Sequence, residues 1–202
     1  MKKIFIAAVA LLCLSGTAVA QRHMEFRWHG LYLVGDMTYG MNVNREVDEF
    51  TNMSEELSAF MPTIAGGFQF RKEAALGVGV SYVADPTGAY TQLPVFVELR
   101  SHYLRSQLTP YTAVQAGYTL PLGSSSAPTP VSRKIAEGGL YFGLDMGVRY
   151  AFSRSTALAA HLTYRLLQAN EMEWTDANGM PIPANPVVLH VLGGGVTFYF
   201  GS

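Results

Sequence analysis

Along this chain, apolar residues recur at every second position in segment after segment. Between residues 76 and 82, Leu76, Val78, Val80 and Tyr82 share one face, and only Gly77, Gly79 and Ser81 stand on the other. Leu93, Val95, Val97 and Leu99 oppose Phe96, Glu98, Arg100 and His102 in the same way. Leu140, Phe142, Leu144, Met146, Val148 and Tyr150 oppose Tyr141, Gly143, Asp145, Gly147 and Arg149, and Leu158, Ala160, Leu162 and Tyr164 oppose Ala159, His161, Thr163 and Arg165. Weaker versions cover 31–41, 60–70, 111–120 and 188–200. A period of two is that of a strand whose faces meet different surroundings. It predicts about eight strands of around ten residues, the length a tilted membrane strand needs. A helix is excluded by the period and by glycines inside the periodic segments, each costing a helix about 1 kcal/mol.

The connections alternate in length. Segments 71–74, 104–108 and 152–155 are tight, whereas 42–58, 121–137 and 169–185 are long and rich in Ser, Pro, Asn and charge; 85–90 belongs with the long set although it is brief. Short turns at one end and longer loops at the other suit an antiparallel up-and-down barrel. Pro62, Pro94 and Pro110 would each remove a ladder hydrogen bond in mid-strand, so they are expected toward the rims.

Two barrels share that pattern. In a soluble, lipocalin-like ligand carrier the bulky face turns inward and the other face meets water. Here the other face is mostly Gly, Ala, Ser and Thr, too small and uncharged for a wet surface, and the bulky face carries Tyr82, Tyr103, Tyr150 and Phe200 at its ends. Both features favour lipid outside. The expected fold class is all-β, a transmembrane antiparallel up-and-down β-barrel of about eight strands.

Composition agrees: charged residues are 14% of the chain, against about 25% in a typical soluble domain. Lys2 and Lys3, the apolar run 4–14 and the small-residue site Ala18-Val19-Ala20 read as a secretory signal peptide cleaved before Gln21. The domain organisation is then 1–20 as the leader and 21–202 as one barrel domain. Cys13, the only cysteine, falls in the leader, which excludes disulfides and thiolate chemistry from the rest. With 14 Lys and Arg against 15 Asp and Glu there is no basic footprint for nucleic acid.

The last strand, Gly195-Val196-Thr197-Phe198-Tyr199-Phe200, resembles the signal by which the barrel-assembly machinery recognises its clients, a glycine followed by two outward aromatics at alternate positions. With the leader and the strand pattern, the chain resembles the outer-membrane β-barrel (porin-like) superfamily, small eight-stranded type. The resemblance implies the outer membrane of a Gram-negative-type bacterium, reached across the inner membrane. It also implies outer-membrane lipid, lipopolysaccharide and the assembly machinery as partners, no cofactor, and Gly195, Phe198 and Phe200 as the assembly signal. Its role would be structural, surface-interacting, or very limited small-solute passage.

Candidate chemistry is sparse. Lipid A deacylases of similar size use a His-x-Ser pair with a following Asn; this chain has Leu167-Gln168-Ala169-Asn170 at the comparable place, and His161-Leu162-Thr163 points into the lumen by parity. No catalytic residue is assigned. Glu46, Asp48 and Glu49 in the first long segment are weak candidates for a divalent cation. Trp28 and Trp174 fit an interfacial belt. Parity gathers Asp36, Glu98 and Asp145 in the lumen with Arg100, Arg149 and Arg165, alongside Gln69, Gln115 and His161. These are expected to pair at mid-height, with arginines reaching toward the acids from neighbouring strands.

Overall fold

The computed structural model describes residues 29–43, 58–71, 73–84, 91–122, 134–175, 181–182 and 187–201. Eight antiparallel strands form a closed meander: β1 (Gly30–Asn42), β2 (Ser58–Arg71), β3 (Ala74–Ser81), β4 (Thr91–His102), β5 (Leu108–Pro121), β6 (Leu140–Ala151), β7 (Thr156–Thr175) and β8 (Val187–Gly201). Each pairs with the next, and β8 pairs back onto β1, from Tyr32 opposite Gly201 to Asn42 opposite Val191. Closure leaves the barrel without a free edge, as a sheet in lipid requires. The leader, the 1–20/21–202 boundary and the candidates Glu46, Asp48, Glu49 and Trp28 lie outside the described residues.

Two expectations are corrected. The tract 169–185 is partly strand: β7 runs for 20 residues, and its far part pairs with the short segments Lys134–Glu137 and Pro181–Ile182. A membrane strand needs only about 9–11 residues, so β7 continues well past the membrane on the long-loop side. Gln168, Ala169 and Asn170 interrupt the apolar alternation, and the short run Glu171-Met172-Glu173-Trp174 beyond them is not told from loop by its pattern alone.

Pro62 is the second. It lies within β2 opposite Met37 rather than at a rim. On its other side the ladder with β3 stops at Thr63–Ser81 and resumes at Phe60–Ala84, in the short segment Val83–Ala84. Tyr82 donates its N–H to the Pro62 carbonyl at 2.9 Å. Proline has no N–H to return, and the third strand is interrupted at that residue. Pro94 and Pro110 lie near the starts of β4 and β5.

Most bulky apolar positions turn outward, while Met61, Phe96, Tyr111, Tyr141, Leu167 and Tyr199 pack inside. Leu31, Val78 and Leu162 are 68%, 65% and 69% exposed, while Glu98 and Arg149, of opposite parity, are 0% exposed. Charges inside and aliphatic side chains outside are the reverse of a soluble carrier. Aromatic rings flank the aliphatic band at both ends. Tyr39, Tyr82 and Tyr118 stand toward the long loops, joined by Tyr164, whose hydroxyl lies 2.6 Å from Nδ1 of His190. Phe70, Tyr103, Tyr150, Phe152 and Phe200 stand toward the tight turns.

Val97 sits midway along β4, facing lipid between Val78 and Ala116. Val97→Arg is expected to destabilise the barrel by about 2–4 kcal/mol, the cost of a cation near the bilayer midplane. Reversible unfolding in lipid vesicles measures this, with the rim substitution Leu122→Arg expected to cost far less.

Candidate functional site

Period two places Glu98 and Arg100 on the same lumen face of β4. Arg100 donates from Nε to Oε1 and from Nη2 to Oε2 of Glu98, both at 2.9 Å, a bidentate pair. The guanidinium also donates through Nη1 to the Tyr199 hydroxyl and lies 4.8 Å and 5.4 Å from the ring centres of Tyr199 and Tyr111. Gln115, opposite Glu98 on β5, donates to Glu98 Oε2 at 2.9 Å and to Asp145 Oδ2 at 3.4 Å, and its Oε1 accepts from the Tyr141 hydroxyl at 2.8 Å. Asp145 closes the line: Arg165 Nη1 lies 2.7 Å from its Oδ1, which also accepts from Thr163 Oγ1 at 2.6 Å. One polar chain therefore crosses β4, β5, β6 and β7.

A second cluster ties β1, β7 and β8. Asp36 accepts from Thr38 Oγ1 at 2.7 Å and from Thr197 Oγ1 at 2.6 Å, and His161 Nε2 lies 3.5 Å from its Oδ2. The ring also meets Thr38 Oγ1 at 3.2 Å through Nε2 and Thr197 Oγ1 at 3.3 Å through Nδ1. Each hydroxyl has one hydrogen and gives it to Asp36. The two hydroxyls thus meet the His161 ring at both of its nitrogens and hold it beside Asp36.

All nine lumen residues named from parity face inward, but their pairing differs from expectation. Only Arg165 reaches its acid from a neighbouring strand; Arg100 meets Glu98 along β4 itself, and Asp36 meets His161 and two threonines. Gln69 stands apart from the central network, near the tight turns, 3.4 Å from His102 Nδ1 and 3.2 Å from the Arg71 carbonyl. Arg149 is likewise displaced toward that end, with its guanidinium 5.6 Å from the Tyr199 ring centre, beside a recess also lined by His29, Gln69 and His102. The reason is reach: an acid finds the nearest donor of matching height, and a same-strand neighbour two residues away is always near.

The hydroxyls of Tyr32, Tyr141, Tyr199, Thr38 and Thr197, which were not singled out from sequence, complete the site together with that of Thr163. Parity could have found them, since each stands at an inward position. Glycines make room for the network. A Cβ at Gly143 would stand 2.7 Å from Arg165 Nη1 and 2.8 Å from Gln115 Oε1, and one at Gly195 would stand 2.6 Å from Thr38 Oγ1 and 2.8 Å from His161 Cε1. Gly195, expected as part of an assembly signal, also seats the second cluster, while Phe198 and Phe200 point outward.

Of the inward pair, Thr163 gives its hydrogen to Asp145 and His161 lies against Asp36. Among the described residues, no group of three or more His, Cys, Asp or Glu is placed to hold a metal ion.

No family model matches the chain, and no curated protein matches it by sequence. Solved structures do. The crystal structure of Neisserial surface protein A superposes with a TM-score of 0.56 at 14% identity, covering 83% of this chain and 96% of that one. The outer membrane protein OprG from Pseudomonas aeruginosa gives 0.56 at 11% identity, covering 89% of this chain and 100% of that one. This chain has the fold of the small outer-membrane β-barrels. The N-terminal β-barrel domain of Pseudomonas aeruginosa OprF agrees, with a TM-score of 0.50 at 10% identity over 85% of this chain and 97% of that one.

Glu98→Ala would leave Arg100 buried with its main counter-charge gone and is expected to cost about 3–5 kcal/mol, whereas the Glu98→Ala/Arg100→Ala pair should cost less than Glu98→Ala alone. Unfolding curves in detergent or lipid for the two variants check the order.

Proposed function

We propose that this chain is an integral outer-membrane protein with a closed lumen, serving envelope structure or surface interaction, with at most very limited small-solute passage and no catalysis. The observation that carries this reading is the continuous line of side chains from Arg100 through Glu98, Gln115 and Asp145 to Arg165, spanning four strands of a barrel that has room for side chains and little else. The outer-membrane and surface proteins of the same fold support the location. In this reading residues 1–20 are removed on export, lipopolysaccharide and phospholipid surround the apolar band, and the assembly machinery reads Gly195, Phe198 and Phe200.

Planar-bilayer recording tests the closed lumen: the unmodified protein is expected to give little or no steady conductance, and Glu98→Ala to give a leak or a barrel that does not hold. A large, stable conductance in the unmodified protein would refute it. The assembly signal is tested separately. Phe200→Ser should accumulate unfolded protein in the periplasm more than the equally outward Phe142→Ser, and equal membrane levels of the two would count against it.

A further inference from the structure

The three tight turns share a feature that neither the fold nor the lumen requires. Each places an exposed, outward aromatic residue within two positions of an exposed arginine: Phe70 with Arg71 at the β2–β3 turn, Tyr103 with Arg105 at the β4–β5 turn, and Phe152 with Arg154 at the β6–β7 turn. None of these arginines forms an ion pair among the described residues. In a meander of eight strands the turn end has four positions, three turns and the paired ends of β1 and β8, so guanidinium groups stand in three of the four quadrants of the rim.

The opposite end is built differently. Among the described residues its girdle is Tyr39, Tyr82, Tyr118 and the Tyr164–His190 pair, and the segments 42–58, 85–90, 121–137 and 169–185 carry ten acidic residues against Arg45, Arg133 and Lys134. Charge is therefore sorted along the barrel axis, acids prevailing at the long-loop end and Arg71, Lys72, Arg105 and Arg154 outnumbering Glu73 at the tight turns.

Resting on the membrane-barrel reading, we propose that this turn-end rim binds the phosphate groups of anionic phospholipids in the leaflet it faces. An aromatic ring settles at the boundary between hydrocarbon and headgroup, so an arginine one or two residues beyond it toward the turn stands at phosphate depth. Guanidinium is the side chain whose paired donors match phosphate oxygens. Three such pairs around the rim fix both the depth and the tilt of the barrel.

The test uses the full chain refolded into phosphatidylcholine vesicles holding a small fraction of spin-labelled phosphatidylglycerol or spin-labelled phosphatidylcholine, with electron paramagnetic resonance reading the relative association of the two labels. The unmodified protein should favour phosphatidylglycerol about fivefold at each arginine-bearing turn, the factor that ~1 kcal/mol per cation gives. The preference should shrink toward one at about 1 M salt, where screening acts within roughly 3 Å. Arg71→Gln/Arg105→Gln/Arg154→Gln should abolish it, and the three lysine substitutions should keep most of it. If the triple variant does not fold, Arg105→Gln alone and the salt series on the unmodified chain decide the matter in the same way. No preference in the unmodified protein, or one indifferent to salt and to the glutamine substitutions, overturns the proposal. A chain that fails to enter vesicles of any composition instead sinks the membrane-barrel reading on which the proposal rests.

Discussion

A cylinder of eight strands encloses a space that side chains fill, and any polar group drawn into it must find its partner there. That constraint governs the rest of the structure. Glu98, Asp145 and Asp36 are each answered from inside, the first two by arginines and the third by an imidazole and two hydroxyls. Because a buried ion without a partner costs several kcal/mol, the side chains that answer them are fixed in height, and so are the strands that carry them.

The same constraint explains the glycines. The lumen cannot widen to admit Arg165 or His161, so the wall opposite each is thinned to a backbone without a side chain, at Gly143 and Gly195. Gly77, which faces the Tyr32 hydroxyl, follows the same rule on β3. What reads in sequence as a small, bland face is the complement of a few large polar residues, and neither set packs without the other.

Strand number, turn ends and the in/out assignment were legible in the sequence because lipid on one side and a crowded lumen on the other force the period of two. The rule fails where the pattern breaks. β7 continues to Thr175, but Gln168, Ala169 and Asn170 separate the short alternation of Met172 and Trp174 with Glu171 and Glu173 from the apolar band. Parity also named which residues face the lumen, Asp36, Glu98 and Asp145 among them, but it carries no height. The barrel's tilt and stagger decide who meets whom, so the pairing of Arg100 with its own neighbour Glu98, and the displacement of Gln69 and Arg149 toward the turns, were not readable. Pro62 shows a different limit. Its missing N–H is plain in sequence, but that β2 absorbs it by breaking the neighbouring strand at Tyr82 depends on which residue lies across the ladder.

Register ties these observations together. A slip of one residue in any strand would turn its lumen set toward lipid and its aliphatic set inward. In β4 that slip would carry Glu98 and Arg100 into hydrocarbon at once, and in β6 it would strip Arg165 of Asp145 while driving Leu144 or Met146 against the remaining network. The penalty for misregister is therefore paid in charges as well as in apolar area, and it falls on four strands through one line of hydrogen bonds. A purely aliphatic lumen could fill the same volume, but its penalty for a slipped strand would be smaller, since one methyl group replaces another at little cost. The polar network thus does more than occupy the lumen: it ties the barrel to the register in which its charges are answered.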